Sequence, residues 1–145
     1  MTIRDRIQAA IAEATKARNQ LRLECLRLAK AALLLKEKEK GEAVADETAI
    51  AVLRAEVKKR QQSIEIFRQH GREDAAKATE DEIRVLEEFL PTQLSADDVE
   101  KRVRAYLAEH PDANHVGKLI GAIKKELGDL VDGKMLNEIC RKVLG

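Results

Sequence analysis

The sequence has almost no aromatic residues and few of the residues that build turns. Phenylalanine, tyrosine and tryptophan make up 2% of its 145 residues, and it holds only seven glycines and two prolines. β-Sandwiches and β-barrels need many turns and many aromatic or β-branched residues, so this composition excludes an all-β fold. Alanine, leucine, glutamate, lysine and arginine are abundant instead, as is typical of helical proteins. We therefore predict an all-α fold.

Cysteine and long apolar runs are also scarce. The only two cysteines, Cys25 and Cys140, lie far apart in sequence, so they build neither a disulfide framework nor a structural zinc site. No apolar run reaches membrane-spanning length, and Arg4, Asp5 and Arg6 interrupt the N-terminus where a signal peptide would need an apolar core. We expect a reduced, cytoplasmic protein with no membrane association, no bound metal and no cofactor.

An excess of charge of one sign is missing as well. The chain has 27 lysines and arginines against 26 aspartates and glutamates, which gives a formal net charge of +1. A protein that coats nucleic acid over much of its surface carries a large positive charge. The balance argues against such a protein and still allows a local basic face.

Apolar residues recur every three or four positions along most of the chain, which predicts about seven helices and no strand. The segment at residues 91–95 is the only break in this pattern that resembles a hinge. We predict an N-terminal bundle of about four helices at residues 1–90 and a small three-helix domain at residues 96–145. Four polar residues are placed to cap predicted helices: Thr2, Asp46, Ser95 and Asp132.

The second predicted helix has apolar residues on two sides. Leu21, Leu28 and Leu35 fall on one side of a helical wheel. The opposite side carries Leu23, Leu26, Leu33 and Leu34. A helix that is apolar on two sides is expected in the middle of a bundle, with both sides buried.

The most informative stretch, residues 115–128, combines glycines and lysines. Gly117, Gly121 and Gly128 share a narrow strip of the predicted helix. The strip is flanked by Lys118, Lys124 and Lys125. Each interior glycine costs about 0.5–1 kcal/mol relative to alanine, so the strip needs a reason. Either another molecule's backbone approaches closely while the lysines meet its phosphates, or the strip only admits a neighbouring helix of the same domain.

This stretch resembles the C-terminal motif of the GatB/YqeY family, a pattern of Gly-Lys, Gly, Gly, Asp-Gly-Lys and Asn. The matching residues are Gly117, Lys118, Gly121, Gly128, Asp132, Gly133, Lys134 and Asn137. The N-terminal part is similar to the stand-alone YqeY members through three further blocks, LRLECLRLAKAAL, EVKKRQQSIEIFRQHGRED and EEFLPTQLS. The four blocks occur in order and cover nearly the whole chain.

The resemblance implies a role near tRNA and no catalysis by this chain alone. GatB is a subunit of the glutamine-dependent amidotransferase of misacylated Glu-tRNA or Asp-tRNA, a carbon–nitrogen ligase. Its tail domain, similar to residues 95–145 here, contacts tRNA, whereas its ATP-using domain has no counterpart in this sequence. The implied partners are tRNA and aminoacyl-tRNA synthetase or amidotransferase subunits. The residues implied in RNA contact are Gly117, Lys118, Gly121, Lys124, Lys125 and Lys134.

Two cations, Lys30 and Arg60, fall inside the apolar arcs of predicted helices. Buried cations need anionic partners, and Glu56, Glu82 and Glu87 are the candidates. A structural ion pair or a snorkelling side chain is expected here rather than a clamp for the carboxylate of a substrate.

No residue pattern typical of a catalytic site occurs, whether a phosphate loop, a dinucleotide fingerprint or a nucleophile elbow. Cys25 would need a histidine brought to it by the fold, and a packed free cysteine is the expected role. Three functions stay open at this point. They are an RNA-binding accessory module, a component that supports an amidotransferase assembly, and an adaptor that binds proteins through the second or third helix.

Overall fold

The computed structural model describes residues 1–145, and the all-α prediction is confirmed. Seven α-helices and one 3₁₀ turn follow one another with no strand. The helices are α1 (Ile3–Ala17), α2 (Gln20–Lys40), α3 (Asp46–Gln69), α4 (Glu73–Glu87), α5 (Ala96–Glu109), α6 (Val116–Leu127) and α7 (Gly133–Leu144), and the turn is Gly128–Leu130. None of them combines the length and the apolar character that crossing a membrane would require.

The chain divides into two compact units, Met1–Leu90 and Pro91–Gly145. In the first unit, α3 packs mainly on α4 and α1 mainly on α2. Its core is aliphatic and includes the fully buried side chains of Ile7, Leu26, Leu33, Leu53 and Leu86.

α2 is exposed along one of its two apolar sides, so the prediction that both are buried is wrong. Helices α1, α3 and α4 pack against α2 and bury Leu23, Leu26 and Leu33. On the opposite side, Leu21, Leu28 and Leu35 are 52%, 55% and 60% exposed. We refer to these three leucines as the α2 stripe. Leu34, for which the pattern predicts burial, is 39% exposed because it lies at the border of the packed side.

The N-terminus of α1 is fixed by three side-chain oxygen acceptors, those of Thr2, Asp5 and Asp46. Thr2 forms a capping box with Asp5, as its position predicts. The prediction that Asp46 caps the third helix is wrong, because α3 begins at Asp46 itself, after Ala45. The Asp46 carboxylate instead accepts the backbone N–H of Ile3 at 2.9 Å and so caps α1 from a different element.

The second unit packs α5, α6 and α7 around a smaller aliphatic core. Ser95 and Asp132 cap α5 and α7 through their side chains, as predicted. The Leu94 N–H donates to the carbonyl of Leu130 at 2.7 Å, and the Gln93 side-chain amide donates to the carbonyl of Asp129 at 3.1 Å. Two of the five residues of the predicted hinge are therefore held within the second unit.

Candidate nucleic-acid interface

The buried side of α6 fixes the direction of its exposed side. Leu119, Ile123 and Leu127 are buried in the core of the second unit. Gly128 ends the helix with a φ of 55°, a conformation that residues with a Cβ rarely adopt. Because the apolar side is anchored, the residues on the opposite side of α6 are presented to solvent in a defined arrangement.

Gly117 and Gly121 lie on this exposed side and border open space. A Cβ atom added at either residue would meet nothing within 4 Å. The alternative that these glycines admit a neighbouring helix of the same domain is therefore wrong. These glycines therefore do not stabilise the fold, and the strip needs an explanation outside the packing of this chain.

Three exposed lysines border the glycine strip. With about 100° of turn per residue, Lys124 lies on one side of Gly121, and Lys118 and Lys125 lie on the other. We refer to these three lysines with Gly117 and Gly121 as the α6 face. Glu126, the only acidic residue of α6, lies about 140° away from Gly121. The α6 face therefore carries three ammonium groups and no carboxylate of its own helix.

The nearest carboxylate that pairs with the α6 face belongs to a loop. Asp112 lies 3.9 Å from the Lys118 ammonium, and the two side chains are 83% and 62% exposed. Ion pairs at such exposed positions are worth little because water screens both groups. Lys118 therefore remains able to pair with a phosphate.

Gly133 provides room for the side chain of Lys124. A Cβ atom at Gly133 would lie 3.3 Å from the Lys124 ammonium, which passes over the first turn of α7. In that turn the Asp132 carboxylate accepts the N–H of Met135 at 3.0 Å. The Asp-Gly-Lys pattern thus caps α7 and leaves space for a lysine of α6.

Lys134 is exposed on α7 and shares its side of the helix with Arg141, seven residues further on. The Arg141 guanidinium donates to the Asn137 side-chain oxygen at 2.6 Å. Arg141 is not among the residues that the sequence predicts to contact RNA. Its spacing from Lys134 is the signal that identifies it.

Arg60 lies within ion-pair distance of a carboxylate of the first unit. Its side chain is 14% exposed, and its Nε lies 3.6 Å from a carboxylate oxygen of Glu82. Its Nη1 donates to the carbonyl of Glu56 at 3.1 Å. Lys30 is half-buried and forms no ion pair with another residue of the chain. Arg60 is thus occupied by groups of its own unit and is not presented to a substrate.

The two thiols are covered by the fold. Cys25 and Cys140 are both buried, and burial raises the pKa of each thiol above its ordinary value. The Cys25 thiol also donates to the carbonyl of Glu82 at 3.5 Å. Since the thiolate is the nucleophile, neither cysteine is prepared for attack at neutral pH.

The chemistry of the α6 face is that of anion binding. It offers lysine ammonium groups beside a surface without side chains, and it contains no histidine, cysteine or carboxylate that would transfer a proton or attack a carbonyl. No group of three or more histidine, cysteine, aspartate or glutamate residues is arranged to hold a metal ion.

Comparison with known proteins identifies the family and nothing finer. No curated protein matches the sequence. The family described as Yqey-like protein matches residues 4–144, nearly the whole length of the sequence and both units of the fold. The chain therefore belongs to the YqeY-like protein family.

Proposed function

We propose that this protein is a helical accessory module of tRNA metabolism that binds structured tRNA through the α6 face. The observation that carries the proposal is the open glycine strip between lysines. Gly117 and Gly121 leave no side chain to hold a phosphate backbone away, so a ribose-phosphate chain lies within reach of ammonium groups on both sides.

The proposed contact reads shape and phosphates rather than single-stranded bases. Base recognition in single strands uses exposed aromatic platforms. Phe89 is buried, Phe67 packs against the first core, and Tyr106 packs against the second. A folded RNA with closely spaced phosphates fits the α6 face better than an unpaired strand.

Membership of the YqeY-like family supports a place beside glutamine-dependent aminoacyl-tRNA amidotransferase, whose GatB subunit has a related tail domain. We propose aminoacyl-tRNA synthetase or amidotransferase subunits as partners and assign no catalytic step to this chain. Amide transfer needs an ATP site and a nucleophile that hydrolyses glutamine. Both cysteines are buried, so neither thiol is presented to glutamine as that nucleophile.

The lysines are tested by titrating labelled tRNA with the protein at two salt concentrations. Lys124→Ala and Lys125→Ala should each weaken binding, and each should reduce the slope of log K against log salt by about one if the lysine neutralises one phosphate. Lys101→Ala, which removes an exposed lysine of α5, is the matched control and should leave the slope unchanged.

The glycine strip is tested by Gly121→Leu. No atom lies within 4 Å of the added Cβ, and leucine is the better helix former, so the melting temperature should stay the same or rise. Binding of tRNA should be lost because the side chain holds phosphates away. Ala105→Leu places the same side chain at an exposed site on α5 as the control. A Gly121→Leu protein that binds tRNA like the wild type would refute the proposal.

A protein–protein adaptor with no RNA role is the second candidate function, and the exposed α2 stripe is the observation that favours it. Isolation of the native complex separates the two candidates. Co-purified tRNA that is lost with Gly121→Leu supports the first candidate. A bound protein that is lost with Leu28→Glu, without RNA, supports the second.

A further inference from the structure

The α2 stripe is a regular apolar row that no part of the chain covers. Its leucines recur at intervals of seven residues along a helix of 21 residues, about 31 Å in length. The stripe shares no residue with the α6 face, so an inference drawn from it is independent of the proposed RNA contact. When two helices pack side by side, each contributes two lines of contact residues to the seam between them. Leucines repeating every seven residues form one line, and the second line lies three residues further along the same helix.

The second line of this seam consists of Glu24, Ala31 and Lys38. All three residues are exposed. Each follows a leucine of the α2 stripe by three residues and therefore borders it on the same side. The line has an acidic residue at one end, a small residue in the middle and a basic residue at the other end. Glu24 and Lys38 are separated by about 21 Å along the helix.

Neither charge of this line is neutralised within the chain. The Glu24 carboxylate accepts only the side-chain amide of Gln20, at 3.2 Å. Lys38 forms no ion pair. A partner helix that brings a cation to Glu24 and an anion to Lys38 would therefore complement both ends of the seam.

From this pattern we propose that the α2 stripe is a self-association surface on which two copies of the chain pack with their α2 helices antiparallel. In that orientation Glu24 of each copy faces the Lys38 end of the other. Leu28 of each copy packs beside the small Ala31 of the other, which gives the alternation of large and small side chains that close packing requires. A parallel pair would bring like charges together at both ends.

The surface fits a weak, concentration-dependent dimer. A single helix face about 31 Å long and about 10 Å wide covers about 300 Å², which is less than the roughly 800 Å² per partner that stable complexes bury. Sedimentation equilibrium over about 1–500 μM should therefore show a monomer–dimer equilibrium within that concentration range.

Leu28→Glu tests the apolar contact. Because Leu28 lies at the centre of the seam in both copies, the substitution should raise the dimer dissociation constant about 100-fold. Ile66→Glu, which changes a 56% exposed isoleucine of α3, is the matched control and should leave it unchanged. Circular dichroism melts of both variants establish that each is folded, and Leu35→Glu serves as a second test of the stripe.

Charge reversal tests the orientation. Glu24→Lys alone and Lys38→Glu alone should each weaken the dimer about tenfold, and the double variant should restore it, because the opposite charges then face each other again. A chain that stays monomeric at 500 μM would overturn the proposal. A dimer that survives both leucine substitutions, or a double variant that fails to recover, would overturn it as well.

Discussion

Arg60 illustrates how a cation is accommodated beside an apolar core. Its guanidinium is mostly buried, with Glu82 at 3.6 Å and one hydrogen bond to the carbonyl of Glu56. Its Nε is buried and has no hydrogen-bond partner within normal geometry. The carboxylate of Glu82 supplies the opposite charge that a buried guanidinium needs.

Removing the carboxylate should cost more than removing the cation. Glu82→Gln leaves the guanidinium of Arg60 without an opposite charge and should lower the free energy of unfolding by about 1–2 kcal/mol. Arg60→Met keeps the apolar stem and removes the charge, so it should cost less. Urea denaturation measures both. Arg84→Met, at a 70% exposed ion pair with Asp81, is the control with a change of about 0.5 kcal/mol or less.

An equal loss of stability in Glu82→Gln and the exposed control would show that the Arg60 pair contributes no more than a surface ion pair. The sequence indicated that Arg60 lies inside an apolar arc, because helical periodicity fixes angular position. It left three candidate carboxylates, since the choice among them depends on how α3 packs against α4.

Local signals in the sequence predict where a helix begins better than they predict which groups of different helices meet. Thr2, Ser95 and Asp132 act within a few residues of themselves, so their roles follow from the sequence alone. Asp46 acts on Ile3, 43 residues away, and the exposure of the α2 stripe depends on where three other helices lie. The exposure of Gly117 and Gly121 is likewise a result of tertiary packing.

The link between α1 and α3 gives a prediction for Asp46. Asp46→Ala removes the acceptor of the Ile3 N–H and should lower the free energy of unfolding by about 1 kcal/mol. Asp46→Asn keeps an acceptor oxygen and should cost less. Glu47→Ala is the control because Glu47 also lies in the first turn of α3 and makes the same type of helix-dipole interaction. Thermal or urea melts that place Asp46→Ala level with Glu47→Ala would exclude the cross-element cap.

The link between α5 and α7 gives a prediction that depends on pH. The Lys142 ammonium donates to Glu100 at 2.8 Å, and with Arg104 it lowers the pKa of that carboxyl below its ordinary value. A carboxyl whose folded pKa lies below its unfolded pKa adds stability above the unfolded pKa and loses it as the pH falls through the folded one. Lys142→Gln should therefore raise the Glu100 pKa in an NMR titration, while Lys101→Gln should change it little. An unmoved Glu100 pKa in Lys142→Gln would exclude the link.

Each of the two units has its own aliphatic core. The proposed RNA contact lies in the second unit and the proposed self-association surface in the first. The two proposals are therefore separable by substitution: Leu28→Glu should leave tRNA binding by a single chain intact, and Gly121→Leu should leave the monomer–dimer equilibrium intact.

The junction between the units should be the first site of limited proteolysis. Leu90 packs against the first core, and Gln93 and Leu94 are bonded within the second unit, so the exposed Thr92 lies between two anchored segments. Two other connectors are held more firmly. Val44, in the connector from α2 to α3, is buried, and so is Ala113, in the connector from α5 to α6.

Cleavage requires locally unfolded backbone in the protease site, and a junction between two separately stabilised units opens at the lowest cost in lost packing. A protease of broad specificity should therefore release two fragments of about 92 and 53 residues before any smaller product. Mass spectrometry identifies the cut, and circular dichroism of the separated fragments should show that both stay helical and melt cooperatively. A first cut within Gln20–Lys40 would mean that α2 opens before the units separate, and fragments that unfold on separation would show that neither core is sufficient alone.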